Sequence, residues 1–530
     1  MRDHDKERVL VEVAHRVFNH YSKDPQTTEQ ALFDTLYEER IRLETEKDRK
    51  KAKKQAAFYR KIRREALRAS PTRQSELLKQ VIEGFAEEVA GHFDPRVFAM
   101  ATRVAPPALS ALLNALSPLR LLAAIPTGMA TLDDQIVIEG ETEAFKAAAQ
   151  MGTTVLVSTH LSNLDSIILG YALYRLGLPP FTYGAGLNLF SNKMIGFFMH
   201  NLGAYKVDRR KKSEVYKHAL KTYAGCTMEH GYHNMFFPGG TRSRSGAVES
   251  KLKMGLLGMG LDAYVHNLCN NKPQPDVFVV PCTLNYQLVL EAETLIGDYL
   301  KAVGKSRYII EDDEFSKPKR VVDFITKLFS LDSRIHMVVS RPLDVFGNEV
   351  DDQGNSRDHR GRIVDRRRYV YRNGAPAFDA QRDQEYTREL ARSISSAFHR
   401  DTVIKPTHLV SYSILDWLWE TCPGMDFYRV LRTGGSEQSL PMTEAYSRVD
   451  RTLGTLRDLE QDGRLRLDES LRGKDTGAIV GDALAHLKSY HRHPALIRRG
   501  DRLFHEDRNL LLYYHNRLTG FGFPTWEKPQ

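Results

Sequence analysis

Cysteine is scarce in this sequence, and its few cysteines lie far apart. Four occur among 530 residues, at Cys226, Cys269, Cys282 and Cys422. None forms the short spacing of a metal or redox motif, and a disulfide-stapled secreted domain would carry more. The first eight residues, MRDHDKER, also lack the apolar run of a secretory signal. A reducing cytoplasm is therefore the expected compartment.

Neither sign of charge dominates the chain. It carries 76 Lys and Arg against 67 Asp and Glu, a net charge of +9 that suits anionic substrates and an anionic membrane surface equally. Hydrophobic residues make up 42%, which is enough for a packed core and excludes a disordered protein. At 530 residues, two or three domains are expected.

One histidine stands in a pattern that carries chemistry. His160 is the only histidine with aspartate, Asp165, five positions later. The β-branched run 154–157 predicts a buried strand before it, and the apolar stretch 167–176 predicts a helix after it. A carboxylate that accepts from one imidazole nitrogen leaves the other free to take a substrate proton. The alternative is a surface histidine and a helix-start aspartate.

A second motif follows about seventy residues later. Asn234 to Phe237 predicts a short strand, and Pro238-Gly239-Gly240 forces a turn. The turn is followed by hydroxyls, guanidinium groups and glycine-exposed backbone N–H donors, a combination that suits a phosphate. These residues are Gly240, Thr241, Arg242, Ser243 and Arg244. A solvated loop is the alternative.

Four blocks in this order resemble the glycerophospholipid acyltransferases. The blocks are His160/Asp165, Gly203/Arg209, Phe237 to Arg244, and Val280/Pro281/Tyr286. The Arg-Ser-Arg-Ser-Gly ending and the long extensions on both sides are most similar to the acyltransferases of glycerol 3-phosphate and dihydroxyacetone phosphate. The resemblance implies an α/β acyltransferase core with a mixed sheet, flanked by N-terminal and C-terminal helical regions.

The resemblance also implies a reaction. His160 would deprotonate the hydroxyl of glycerol 3-phosphate, which attacks the thioester of acyl-CoA or acyl carrier protein, and Asp165 would orient the imidazole. Backbone N–H groups near His160 or the Gly239-Gly240 turn would stabilise the oxyanion. Neither a metal nor a cofactor is implied. The side chains expected to hold the acceptor phosphate are Arg209, Arg242 and Arg244, with Lys251 or Lys253 as weaker candidates.

One position departs from the family pattern. Gly239 stands where the family carries glutamate, a residue associated there with the acceptor site. The departure indicates altered acceptor selectivity, replacement by another acid such as Glu249, or a weakened enzyme. Two alternatives to a glycerol-3-phosphate enzyme therefore stay open. One acylates lysophosphatidate or dihydroxyacetone phosphate, and the other is an idle relative that binds lipid.

The chain divides into three predicted parts. Residues 1–135 are predicted to be mostly helical. They include a basic arm with ten Lys or Arg between residues 47 and 64. They also include an apolar stretch at 106–126 that suits a membrane-contacting hairpin or a buried helix. Residues 136–346 form the acyltransferase domain, and 347–530 form an arginine-rich linker and a helical C-terminal domain. Peripheral contact with the cytoplasmic face of a membrane is expected, and nucleic acid is not.

Overall fold

The structure is a computed structural model. It describes residues 3–46, 49–103, 135–187, 193–303, 333–425, 427–434, 439–489, 491 and 493–523. The apolar stretch at 106–126 lies outside these residues. None of the described helices is both long and apolar enough to span a bilayer.

The described N-terminal residues are helical, as the sequence predicts. They form α1 (Asp3–Tyr21), α2 (Pro25–Glu44), α3 (Arg49–Ala66), α4 (Pro71–Val89) and α5 (Pro95–Arg103). Asp24 and Ser70 cap α2 and α4, since each side chain accepts a backbone N–H of the first turn and a proline begins each helix. The inner side of α3 packs on α2 and α4, which leaves its basic outer side exposed.

The central sheet is built largely from strands that the sequence marks by short apolar runs. They are β1 (Ile136–Gly140), β2 (Thr153–Ser158), β3 (Thr182–Gly186), β4 (Ala204–Val207), β5 (Asn234–Phe236), β6 (Val277–Asn285) and β7 (Ile335–Val339). β2 pairs in parallel with β5 and β6, and β5 continues in parallel through β3 to β4. β7 is antiparallel to β6 and parallel to β1. This mixed sheet confirms the predicted fold class.

Helices connect the parallel strands. They are α6 (Thr142–Met151), α7 (Asp165–Arg175), α8 (Lys193–Asn201), α9 (Glu214–Glu229), α10 (Met254–Cys269) and α11 (Ala292–Val303). Because β2, β4, β5 and β6 run in the same direction, the segments that follow them emerge at one edge of the sheet. Those segments contain His160, Arg209, the arginine turn that follows β5, and Tyr286, and this shared edge brings them together.

The sheet does not end at residue 346, the predicted end of the acyltransferase domain. It continues antiparallel through β8 (Leu343–Asp344), β9 (Glu349–Val350), β10 (Ser356–Arg357) and β11 (Ile363–Val364). A separate hairpin follows, formed by β12 (Tyr371–Arg372) and β13 (Ala375–Pro376). The stretch 347–375, predicted as a linker, therefore carries very short strands that extend the sheet. The division into three domains stays a prediction.

The C-terminal region is mainly helical. Its elements are α12 (Ala380–Arg400), β14 (Val403–Ile404), α13 (Pro406–Glu420), α14 (Phe427–Thr433), β15 (Ser439–Pro441), α15 (Met442–Gln461), β16 (Arg466–Leu467), α16 (Thr476–Ser489), β17 (Leu496–Arg499), β18 (Arg502–His505) and α17 (Arg508–His515). α12 packs on α10, and α17 packs on α11 and α13. Tyr513 and Tyr514 of α17 are buried. The C-terminal region thus lies against the site-bearing edge of the sheet.

Candidate active site

His160 and Asp165 form a hydrogen-bonded pair at the end of β2. His160 lies two residues beyond the strand, and Asp165 is the first residue of α7. The imidazole Nδ1 lies 2.9 Å from Asp165 Oδ2. With Nδ1 donating to the carboxylate, Nε2 is the nitrogen that can accept a proton. The structure therefore brings together the base and the orienting carboxylate that the sequence predicts.

The Asp165 carboxylate is fully buried and held by four donors. Besides His160, the backbone N–H groups of Leu161 and Ser162 donate to Oδ2 at 2.7 Å and 2.9 Å. The hydroxyl of Tyr286 donates to Oδ1 at 2.5 Å. These bonds, together with the first-turn position in α7, stabilise the charged carboxylate and fix its orientation.

The surroundings of His160 favour its neutral form. Its ring stacks on Phe237, with centroids 3.9 Å apart and 13° between the planes. Burial lowers the pKa of His160 below its ordinary value, and the positive charges of Arg242 and Arg209 lower it further, against the opposing effect of Asp165. A neutral imidazole at neutral pH is the form that a general base requires.

Arg242 is anchored to the histidine loop through a buried acid. Its Nη1 lies 3.2 Å from Oε1 of Glu291. Glu291 also accepts from Ser162 Oγ at 2.8 Å and from the backbone N–H of Asn163 at 3.0 Å. The backbone N–H of Ser243 donates to the carbonyl of His160 at 2.7 Å. The arginine turn and the His160 loop therefore form one connected unit.

Arg209 and Arg244 complete a cluster of three guanidinium groups. Desolvation lowers the pKa of Arg209, and the positive charges of Arg242 and Arg244 act in the same direction. Within the described part of the chain, neither Arg209 nor Arg244 has an acid within ion-pair distance. Two of the three guanidinium groups thus lack a carboxylate partner within the described residues, and a phosphate dianion would supply negative charge to them.

The other predicted binding residues line the same turn. Gly240 has a positive φ of 78°, and a Cβ there would lie 3.0 Å from Lys253 Cγ, so the stem of Lys253 covers this glycine. Ser243 Oγ donates to the carbonyl of Ala247 at 2.8 Å and shapes the loop. Thr241 is exposed. The structure thus collects every predicted site residue around one loop; their roles stay predictions.

The backbone donors expected for an oxyanion are largely occupied. The N–H of His160 donates to Glu249 Oε1 at 2.8 Å, and the N–H of Gly240 donates to the carbonyl of Phe237 at 3.0 Å. Leu161, Ser162 and Asn163 donate to buried carboxylates, as described above. Among the residues that the structure describes, Thr241 keeps a backbone N–H without an acceptor. It is one donor of this turn that remains for an oxyanion.

Sequence reasoning did not select three groups that shape this site. Tyr286 closes the fourth motif block, and that position was the available signal. Glu291 and Arg517 had no comparable signal because each acts from a distant point in the chain. Arg517 is buried beneath the site, where Nη2 donates to the Leu284 carbonyl at 3.2 Å and to Asn285 Oδ1 at 2.9 Å.

Two histidines with ligand-like spacing serve other contacts. His230 Nε2 lies 3.0 Å from Glu12 Oε2, and His233 Nδ1 accepts from the backbone N–H of Thr154 at 3.0 Å. Across the described residues, no group of three or more His, Cys, Asp or Glu is placed to hold a metal ion.

Comparison with known proteins identifies the domain. A family model described as Acyltransferase matches residues 127–285. A glycerol-3-phosphate acyltransferase of Pseudomonas paraeruginosa is 30% identical over 170 residues, which is 32% of this chain and 20% of that protein. Its namesake in Pseudomonas syringae pv. tomato is 29% identical over 187 residues, covering 32% and 22%. That of Haemophilus influenzae is 30% identical over 173 residues, covering 32% and 20%.

The fold and the site thus define an acyltransferase domain on a mixed α/β sheet. These matches agree with the resemblance to the glycerophospholipid acyltransferases seen in the sequence, over the residues that they cover. The chain spans only about a fifth of the length of the curated relatives it matches. The similarity therefore covers the sheet domain, and most of the relatives' length has no counterpart in the alignment.

Proposed function

We propose that the protein transfers a fatty acyl group from a thioester donor, acyl-CoA or acyl carrier protein, to a hydroxyl of glycerol 3-phosphate during phospholipid synthesis. One observation carries this proposal: the His160–Asp165 pair lies beside a cluster of three arginines, and two of them, Arg209 and Arg244, have no ion-pair partner among the described residues. A base poised next to a phosphate site suits an acceptor that carries both a hydroxyl and a phosphate.

The reaction follows from the positions of these groups. His160 Nε2 takes the proton of the acceptor hydroxyl as its oxygen attacks the thioester carbonyl carbon. Asp165 stabilises the imidazolium that forms, and in this proposal the N–H of Thr241 donates to the oxyanion. When the intermediate collapses, the carbon–sulfur bond breaks and the imidazolium returns its proton to the leaving thiolate. The products are an ester and a free thiol.

Product analysis by mass spectrometry tests this function. The purified protein is incubated with palmitoyl-CoA, or with palmitoyl acyl carrier protein, and equal amounts of glycerol 3-phosphate, dihydroxyacetone phosphate and lysophosphatidate. We expect acylated glycerol 3-phosphate, abolished by His160→Ala and retained by His359→Ala, since His359 is an exposed residue outside the site. A different acylated acceptor would reassign the substrate, and no product with either donor would refute transfer.

We further propose that the protein binds peripherally to the cytoplasmic face of an anionic membrane. The outer side of α3 exposes Lys53, Lys54 and Lys61, and Phe58 is 41% exposed among them. Arg210, next to Arg209, reaches Glu46 at 3.1 Å near the start of α3. The basic helix therefore lies next to the loop that carries an acceptor arginine, and a lipid surface would meet both.

Vesicle flotation tests the membrane proposal. The protein should float with phosphatidylglycerol vesicles, should float weakly with phosphatidylcholine alone, and should be released by high salt. Each basic side chain near an anionic surface contributes about 1 kcal/mol, so replacing Lys53, Lys54 and Lys61 with Gln should weaken binding roughly 100-fold. The same change at the exposed residues Lys474 and Lys488, outside the N-terminal helices, is the control. Equal binding by both variants would contradict this surface.

A further inference from the structure

Glu249 reaches into the candidate active site from the loop that follows the arginine turn. Its Oε1 accepts the backbone N–H of His160 at 2.8 Å. The carbonyl of His160 accepts from Ser243 at 2.7 Å. Both backbone groups of the base are therefore fixed by one segment, residues 243–249. This segment controls where the His160 loop lies relative to the arginine turn.

The carboxyl group of Glu249 also fills the space next to Gly239. A Cβ built on Gly239 would lie 2.6 Å from Glu249 Oε2 and 2.7 Å from its Cδ, so a side chain at 239 would have to displace this carboxyl group. Gly240 has a positive φ, but Gly239 does not, so backbone conformation does not exclude a side chain at 239. What excludes it is the carboxyl group of Glu249.

The charges around Glu249 are consistent with a clamp between two loops. Burial raises the pKa of Glu249 to about 8, and the nearby Asp165 raises it as well. The backbone N–H groups of His160 and Gly239 and the charge of Arg517 act in the opposite direction. A carboxyl group that is mostly protonated at neutral pH can sit beside Asp165 without adding a second full negative charge.

We propose that Glu249 is a positioning residue for acyl transfer, and that its carboxyl group stands in the space that a side chain at position 239 would otherwise enter. It joins the His160 loop to the Gly239 turn and so fixes the base relative to the phosphate site. This inference rests on the proposed function. It also selects one of the three explanations of Gly239, because an acid from elsewhere in the chain occupies the place beside it.

A reciprocal exchange of the acid between the two positions is the sharpest test. Glu249→Ala should lower kcat about 100-fold, since small displacements of a base cost about that much. Glu249→Gln keeps an acceptor for the His160 N–H, and its loss should be smaller. Gly239→Glu alone puts two acids into one space and should also lose activity. Combining Gly239→Glu with Glu249→Ala leaves one acid there and should recover activity to within about tenfold of the original.

Hydrogen–deuterium exchange separates this inference from the proposed function. Loss of the Glu249 acceptor should speed hydrogen exchange at the His160 N–H. The double variant Gly239→Glu/Glu249→Ala should restore protection of this N–H, whether or not the protein turns over substrate. Ser250→Ala, an exposed neighbour, is the control, and melting temperatures identify any unfolded variant. Unchanged exchange and kcat in Glu249→Ala would overturn the inference. So would full activity of Gly239→Glu with Glu249 present. If the unsubstituted protein is inactive but the variants show the expected hydrogen–deuterium exchange, only the proposed function is overturned.

Discussion

Asp165→Asn should separate the charge of the catalytic pair from its geometry. Three donors converge on Oδ2 of Asp165, and one, from Tyr286, reaches Oδ1. An asparagine can place its carbonyl oxygen at the Oδ2 position, where it still accepts all three. Its amide can then donate to the Tyr286 oxygen, which has lone pairs to accept it. The hydrogen-bond pattern, and with it the His160 tautomer, should therefore survive.

What the asparagine cannot supply is negative charge. Hydrogen bonds to charged groups contribute about 1.5–3 kcal/mol and neutral ones about half as much or less. Losing the charge that stabilises the imidazolium should raise the barrier by about 1–2 kcal/mol, which lowers kcat roughly 5- to 30-fold. Asp165→Ala instead strands the buried donors of Leu161, Ser162 and Tyr286, so it should unfold at much lower denaturant concentration.

The assay is steady-state thiol release from palmitoyl-CoA as a function of pH, with urea unfolding in parallel. Because the base must be unprotonated, kcat/KM falls as pH drops through the pKa of His160, which burial places below 6.5. Asp165 raises that pKa, so Asp165→Asn should move the acid limb to still lower pH. A kcat within twofold of the original, or as low as that of His160→Ala, would refute the assigned role of the charge.

Two other substitutions probe the same site. Tyr286→Phe removes the 2.5 Å hydrogen bond to Asp165 and leaves a buried carboxylate oxygen without a partner. It should lower the free energy of unfolding in urea by about 1.5–3 kcal/mol and lower kcat about tenfold. Unchanged stability would contradict this hydrogen bond. Arg209→Gln should raise KM for the phosphorylated acceptor by roughly 10-fold or more with little change in kcat. Arg210→Gln, at the neighbouring position, should affect stability instead, because Arg210 pairs with Asp208 at 3.1 Å. An equal rise in KM in this variant would refute the assignment of Arg209 to the acceptor phosphate.

Local signals explain why much of the site could be predicted from the sequence. The run 153–158 is β-branched and apolar, and such a run is stable chiefly as a buried strand, as β2 is. Pro238 and Gly240 force the chain to turn directly after β5. Because each motif block follows a parallel strand, its position at one edge of the sheet is a consequence of topology. Patterns that are complete within about ten residues were therefore recovered correctly.

The contacts that complete the site could not be predicted in the same way. β9, β10 and β11 are two residues long and lie in a polar, arginine-rich stretch, so no alternation marks them and their pairing depends on the preformed edge at β8. Glu249 was one of several explanations for Gly239, and sequence spacing cannot show that its side chain turns back onto the glycine. Only the folded chain places its carboxyl group there.

The residues that the candidate chemistry depends on extend beyond the segment that matches the family. The match ends at residue 285, one position before Tyr286, which holds Asp165 in place. Glu291, which anchors Arg242, also lies outside it, and the buried charge of Arg517 acts on Glu249 from the C-terminal region. A fragment that contained only 127–285 would keep His160, Asp165 and the arginines but lose Tyr286, Glu291 and Arg517. The C-terminal region therefore contributes to the candidate site, since the buried charge of Arg517 acts on Glu249.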